Sequence, residues 1–363
     1  MKIEHVEVSV VRVPPDTPYQ ASGRTVDAYW HVLARVRTSD GIAGFGYIVA
    51  LNGALVAAVA AASRELGEQL VGVNVLEPEA AWERLYRRGS WTGPGGLLHF
   101  AIAPLDIALW DAAGKSVNQP LYRLLGGFRD RLPVYGSDGF WYSQTLDALA
   151  AQAQRYADQG FTAVKLRIGH ETDPAREVAR VKAVRDAGGP GMRVLVDATE
   201  TWDLATALNT GFALQEAGIH WLEDPIHHDN VSGYANLCRQ LRVRIATGEH
   251  IYTAAGFLRL FENRGTTIAL IDLGRVGGIT PWRRIAALAH AFNLPVCGHV
   301  LPELHVQLAP AMPNGYLVEY VPRTAPILQA MPPIENGDLV APKAAGLGLA
   351  LDEAAVRRYT VDA

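Results

Sequence analysis

The chain has 363 residues, 49% of them apolar and 19% charged, with a net charge of −4. That balance can bury a core and excludes a disordered chain. The length exceeds one ordinary compact core and suits a large barrel with an added domain. No lysine- or arginine-rich run stands out, so neither nucleic acid nor a membrane surface is expected as a partner.

Two cysteines, Cys238 and Cys297, are too few for a disulfide framework, which points to a reducing, cytoplasmic setting. The start, Met1-Lys2-Ile3-Glu4, has no apolar leader core. No apolar run is expected to reach membrane-spanning length.

Val6, Val8 and Val10 alternate with Glu7 and Ser9, the two-residue period of a half-buried strand. Val32, Ala34 and Val36 repeat that pattern over residues 30–37. Ser39-Asp40-Gly41 then predicts a turn, with 42–48 returning as the second arm of a hairpin. From about 53 to 117 the pattern is helical, and Leu105, Ile107, Ala108, Leu109 and Ala112 form one apolar face. Pro120 suits the first turn of a short helix that Gly126-Gly127 ends. Residues 1–130 therefore read as an α+β module.

From about 131 to 325 short apolar runs alternate with helical segments. The runs lie near 133–136, 163–168, 193–197, 220–223, 244–247, 268–272, 295–298 and 317–319. Eight such runs predict parallel strands in βα units, closed as a barrel. A doubly wound open sheet would want a glycine-rich phosphate loop after its first strand, and Tyr135-Gly136-Ser137-Asp138 is not one. The segment 326–363, with several prolines and glycines, is expected to pack back on the first domain.

Barrel chemistry sits where the strands end. The third, fourth and fifth runs end in Asp197, Glu223 and Glu249 at equal spacing (223 − 197 and 249 − 223 are both 26). Any one of these acids could be a helix N-cap. Three on neighbouring strands at one level repel each other unless a cation joins them. An oxygen-only set of this kind suits Mg²⁺, with Mn²⁺ possible. On the second run Lys165 and Arg167 share the face opposite Val164, Leu166 and Ile168, and so point into the barrel mouth. Arginine stays protonated and makes a poor base. Asp272 ends the sixth run and His299 follows the seventh, one βα unit apart, so the carboxylate can bond one ring nitrogen and leave the other free as a base. The eighth run ends in Val318-Glu319-Tyr320. A carboxyl buried there among other acids would have its pKa raised.

These stretches together resemble the enolase superfamily, in its mandelate racemase/muconate lactonizing enzyme branch. The resemblance is carried by Val196-Asp197-Ala198-Thr199, Trp221-Leu222-Glu223-Asp224-Pro225, Gly248-Glu249-His250, Ile271-Asp272, Arg275 to Thr280, Gly298-His299, and the cap stretch Pro104 to Asp111. It implies an α+β capping domain on a modified (β/α)7β barrel. It also implies Asp197, Glu223 and Glu249 as Mg²⁺ ligands, and His299 as the base of a dyad with Asp272. Lys165 and Arg167 would support a substrate carboxylate and its developing charge, and Glu319, kept protonated, would donate a hydrogen bond to that carboxylate. The usual pair here is Lys-x-Lys, so Arg167 removes the second base, and with it the simplest route to racemisation. The muconate-lactonizing and dipeptide-epimerase members carry a lysine where this chain has Asp272, which argues against that branch. The expected reaction is dehydration of a 2R aldonate or aldarate to a 2-keto-3-deoxy acid. A racemase or epimerase of a 2-hydroxy or amino acid is the alternative within the fold, and a non-catalytic metal- or carboxylate-binding protein the alternative outside it. Thr199 stands where many members have Asn and some dehydratases have His. Thr199, His250, Ser137, Tyr19 and Tyr47 are candidate substrate contacts, with Gln20, Asn52 and Trp141 in suitable regions. A small carboxylate and further copies of the chain, as a homo-oligomer, are the expected partners.

Overall fold

The computed structural model describes residues 1–16, 18–21, 24–50, 53, 55–171 and 173–362, without the side chains of Gln20, Ala21 and Arg24. Asn52 and the Gln20 side chain therefore lie outside the described residues. The cap contains β1 (Ile3–Val13), β2 (Tyr19–Ala21), β3 (Arg24–Val26), β4 (Tyr29–Thr38) and β5 (Ala43–Ala50). Next come helices α1 (Val56–Glu68), α2 (Pro78–Gly89) and α3 (Leu97–Ser116). β1, β4 and β5 form an antiparallel sheet. Because side chains alternate along a strand, β4 sends Val32, Ala34 and Val36 to the helices and Tyr29 and Leu33 to the barrel. The cap sheet is thus covered on both faces. Gly44 and Gly46 let α3 lie directly on β5: an added Cβ would come within 2.3 Å of the Ala108 carbonyl oxygen at Gly44 and 2.4 Å of the Ala108 nitrogen at Gly46.

α3 corrects one expectation. Its 20 residues are long and apolar enough to cross a membrane, yet 89% of its most apolar window is buried inside the protein. Its apolar surface is spent on the cap core. Asp106 and Asp111 punctuate it and serve as anchors: Asp106 accepts from the Thr280 backbone N–H at 2.9 Å, and Asp111 from those of Phe45 at 3.0 Å and Leu347 at 2.8 Å.

A short helix, α4 (Leu121–Leu124), leads into the barrel. Its strands and helices alternate as β6 (Arg131–Gly136), α5 (Leu146–Asp158), β7 (Ala163–Arg167), α6 (Pro174–Gly188), β8 (Arg193–Asp197), α7 (Leu204–Glu216), β9 (Trp221–Glu223) and α8 (Val231–Gln240). They continue as β10 (Arg244–Thr247), α9 (Ala254–Glu262), β11 (Ile268–Asp272), α10 (Ile279–Ala291), β12 (Val296–His299), α11 (Pro302–Leu308) and β13 (Val318–Tyr320). Neighbouring strands pair in parallel from β6 round to β12, and β13 pairs β6. Val296 bridges to Gly315 just before β13, joining the remaining edge. After β13 the chain leaves the ring without an eighth barrel α-helix, so the barrel is (β/α)7β.

Helix starts are set by local chemistry. Thr145, Asp173, Asp203, Asn230 and Thr253 each accept a backbone N–H in the first turn of α5 to α9. Tyr135, Leu195, Trp221, Ala246, Leu270, Cys297 and Leu317 pack inside the ring and plug it, leaving only the strand ends for chemistry. The tail divides. β14 (Ile334–Glu335) and β15 (Asp338–Val340) run beside β6, while α12 (Glu353–Tyr359) and β16 (Thr360–Val361) return to β1 of the cap. Arg35 and Glu353 form an ion pair there at 3.0 Å.

Candidate active site

Asp197 and Glu223 are register partners at the ends of β8 and β9. Glu249 stands two residues past β10, after Gly248, whose φ of 130° a side chain would resist. Lys165 is fully buried between them, its Nζ 2.6 Å from Glu223 Oε1, 2.8 Å from Glu319 Oε1 and 3.5 Å from Asp197 Oδ2. Burial disfavours its charge, but Glu223, Glu319 and Asp197 outweigh that and hold the ammonium well above its ordinary value. Glu223 is pushed up to about 8 by burial, with Lys165 opposing and Asp197 and Glu249 adding to the rise. One ammonium therefore leaves this buried cluster over-supplied with negative charge. The donor atoms are all carboxylate oxygens, which fits a hard divalent cation held by Asp197, Glu223 and Glu249. Such an ion, when bound, supplies the positive charge that stabilises an enolate developing beside it.

Across the ring, His299 Nδ1 lies 2.5 Å from Asp272 Oδ2, and the two residues are register partners on β12 and β11. Asp272 also accepts the Arg275 backbone N–H at 2.7 Å and a guanidinium N–H at 3.3 Å. Burial would raise the Asp272 carboxyl, but His299 and Arg275 hold it well below the usual range. An ionised, fixed Asp272 sets the imidazole tautomer. The other nitrogen, Nε2, points to the carboxylates, 3.4 Å from Glu249 Oε2. Burial lowers the imidazole value; Glu249 and Asp272 more than reverse this and raise it above 6.5.

Arg167 has no carboxylate within ion-pair distance among the described residues. Its guanidinium donates to the Ser137 carbonyl at 2.7 Å, the Gly139 carbonyl at 3.2 Å and the Ser137 hydroxyl at 3.3 Å, and stacks over Trp141 at 4.1 Å. Glu319 departs from the sequence expectation. It accepts from Ser137 Oγ at 2.6 Å and the Val300 N–H at 2.7 Å, besides pairing Lys165. Burial would raise its carboxyl, but Lys165, His299 and these bonds hold it far below the carboxylate range, so it is ionised rather than protonated. The physical reason is the position of Lys165, which faces Glu319 as closely as it faces Glu223.

The remaining candidates divide. Ser137 joins Glu319 and Arg167. Thr199 donates its N–H to Asp197 at 2.8 Å and shares a hydroxyl–hydroxyl bond with Tyr142. Tyr19 stacks on Trp141 with centroids 4.1 Å apart. His250 lies 3.5 Å from Glu249 and stacks on His228. Tyr47 is not brought to this group: it is fully buried and donates to Glu303 at 2.8 Å, fastening β5 to α11. Sequence reasoning gave no role to Tyr142, which belongs to no motif. Nor did it give one to Arg275, although an arginine three residues past Asp272 could have been read as its clamp.

Fold and site define a class: a capped (β/α)7β barrel of the enolase superfamily, with three carboxylates at the strand ends facing a His–Asp dyad. The chain belongs to the mandelate racemase/muconate lactonizing enzyme family. Residues 5–126 match its N-terminal domain and 148–355 the domain described as enolase C-terminal domain-like. Over 99% of both chains it is 30% identical to a 3,6-anhydro-α-L-galactonate cycloisomerase of Streptomyces coelicolor. It is 29% identical to an L-talarate/galactarate dehydratase of Salmonella typhimurium, over 99% of this chain and 91% of that one. The crystal structure of an L-talarate dehydratase from Polaromonas sp. JS666, complexed with Mg and L-glucarate, superposes with a TM-score of 0.92 at 31% identity, covering 99% of this chain and 98% of that one.

Proposed function

We propose that this protein is a Mg²⁺-dependent dehydratase that removes the α-proton of a 2R sugar acid, an aldonate or aldarate, and yields a 2-keto-3-deoxy acid. The observation that carries this reading is the asymmetry of the mouth. His299 and Asp272 form a complete base at 2.5 Å, whereas among the described residues every guanidinium hydrogen bond of Arg167 goes to the Ser137–Gly139 loop. Dehydration needs one base; racemisation needs one on each face.

In this reading His299 Nε2 takes the proton from carbon 2. Lys165 and Arg167 flank the growing negative charge with fixed cations that need no reorganisation when it appears. Glu319, ionised and held by Ser137 and Val300, keeps Lys165 in place. The relatives named as dehydratases, and the neighbour complexed with L-glucarate, support sugar acids as the substrate class. The relative named as a cycloisomerase supports a second reading with the same base, in which the leaving oxygen belongs to a ring and stays on the product.

The test is a sugar-acid library screened for 2-keto-3-deoxy products. Turnover is expected from 2R acids with Mg²⁺, and none after chelation or in Glu223→Gln. Turnover by Glu223→Gln without added metal would remove the metal assignment. Isomeric products with no loss of water would move the cycloisomerase reading to first place.

A further inference from the structure

Dehydration needs a proton for the departing oxygen, which His299 would supply by acting twice, first as base and then, protonated, as acid, unless a second group donates it. Most groups around β7 are unsuited to donate it. Lys165 is enclosed by three carboxylates. Arg167 is spent on carbonyls and stays protonated. The Ser137 hydroxyl donates to Glu319. What remains is a hydroxyl pair: Tyr142, on the loop after β6, bonded to Thr199, on the loop after β8.

Because β7 lies between β6 and β8, that pair spans the end of β7, where Arg167 is the last residue. The dyad stands on β11 and β12, four and five strands further round the eight-stranded ring, so the two lie on opposite sides of the mouth. Tyr142 and Thr199 are both half-buried, open to a bound molecule. The His170 ring packs on the Tyr142 ring with centroids 3.8 Å apart and fixes its plane. Two hydroxyls have two protons, and the bond between them uses one; among the described residues the other has no acceptor. Burial, with Asp197, pushes the phenol up to about 12, so it is a neutral donor at pH 7. A phenol is also a far better acid than the Thr199 alcohol.

We propose that Tyr142 protonates the hydroxide leaving carbon 3, from the face opposite His299. This rests on the dehydration reading. His299 Nε2 takes the carbon 2 proton, and the electron pair stays on the substrate as the enediolate. The C3–O bond then breaks, and its pair leaves with the oxygen. That oxygen takes the Tyr142 phenol proton, directly or with Thr199 as relay, and departs as water. The phenolate regains a proton from solvent, and His299 releases its own. The enol takes a proton at carbon 3 as its hydroxyl proton is lost, so the net change is loss of one water. A base and an acid on opposite faces make the elimination anti, and where the site holds the carbon 4 chain in one place this selects one configuration at carbon 3.

The test is Tyr142→Phe, read in three ways on one substrate series. Elimination of water should fall roughly 10²–10⁴-fold, the usual contribution of a positioned acid. Exchange of the carbon 2 proton in D₂O should stay within a few-fold of wild type, because His299 is untouched. Fluoride release from a 3-deoxy-3-fluoro analogue should also stay within a few-fold, because fluoride leaves without a proton. Equal loss of all three would show that Tyr142 only shapes the site and would overturn the proposal. Undiminished elimination of water would overturn it as well. A wild-type enzyme that exchanges the carbon 2 proton yet forms no 2-keto-3-deoxy product from any acid would sink the dehydration reading itself, and this assignment with it.

Discussion

The two sides of the barrel mouth are built from similar residue types and do different work. On the β11–β12 side, a carboxylate locked by Arg275 holds an imidazole at 2.5 Å and leaves its second nitrogen facing the site. That group can take and return a proton near neutral pH. On the β7 side, two cations are immobilised, Lys165 among three carboxylates and Arg167 on two carbonyls and an indole. Neither can move a proton at neutral pH. The difference shows that in this fold a cation at the mouth is defined by its partners. The same barrel end can host a base or a fixed charge, according to what the next loop supplies.

The largest expected effect is on the β11–β12 side. His299→Asn keeps much of the shape but cannot take a proton, and should lower turnover by roughly 10²–10⁴-fold with substrate affinity little changed. Turnover with unaltered kinetics would place the base elsewhere. Asp272→Asn comes next. A hydrogen bond to a charged group is worth roughly 1.5–3 kcal/mol, or about ten- to a hundredfold in rate. This variant should also move the pH profile. The base works only when deprotonated, so activity is lost as pH falls through the His299 value, which the structure raises above 6.5. Removing the Asp272 charge lowers that value, so the acid limb of kcat/KM should shift to lower pH. A shift to higher pH would contradict the role given to Asp272. The smallest effect is expected from Arg167→Lys. An amine can titrate where a guanidinium cannot, so slow exchange of the 2S epimer should appear, measured as deuterium incorporation. If none appears, the fixed side is inert for reasons other than the arginine.

Much of this contrast was legible in the sequence. The eight strands showed themselves as short apolar runs at regular spacing, and all eight lie where the runs do, within a few residues. The equal spacing of Asp197, Glu223 and Glu249, and the single βα unit between Asp272 and His299, come from one barrel repeat, so neighbouring strand ends could be matched. What stayed hidden depends on contacts across the ring. Glu319 looked like an acid among acids; its ionisation comes from Lys165 Nζ, six strands back in the chain order and 2.8 Å away in space. The tether of Arg167 depends on carbonyls of Ser137 and Gly139, and backbone groups leave no trace in residue identity. Tyr142 sits in a loop without periodicity. Tyr47 alternated like a strand residue, but which face the barrel would cover could not be read from β5 alone. α3 read as an ordinary amphipathic run because its second apolar face meets a partner, the cap sheet, that only the fold supplies.

The most direct test of the one-sided site is proton exchange at carbon 2. Each C2 epimer of a slow substrate or analogue would be incubated with enzyme and Mg²⁺ in D₂O and followed by NMR. Exchange from the 2R epimer alone is the expected result. Equal exchange from both epimers would show a working base on the Arg167 side and contradict the account.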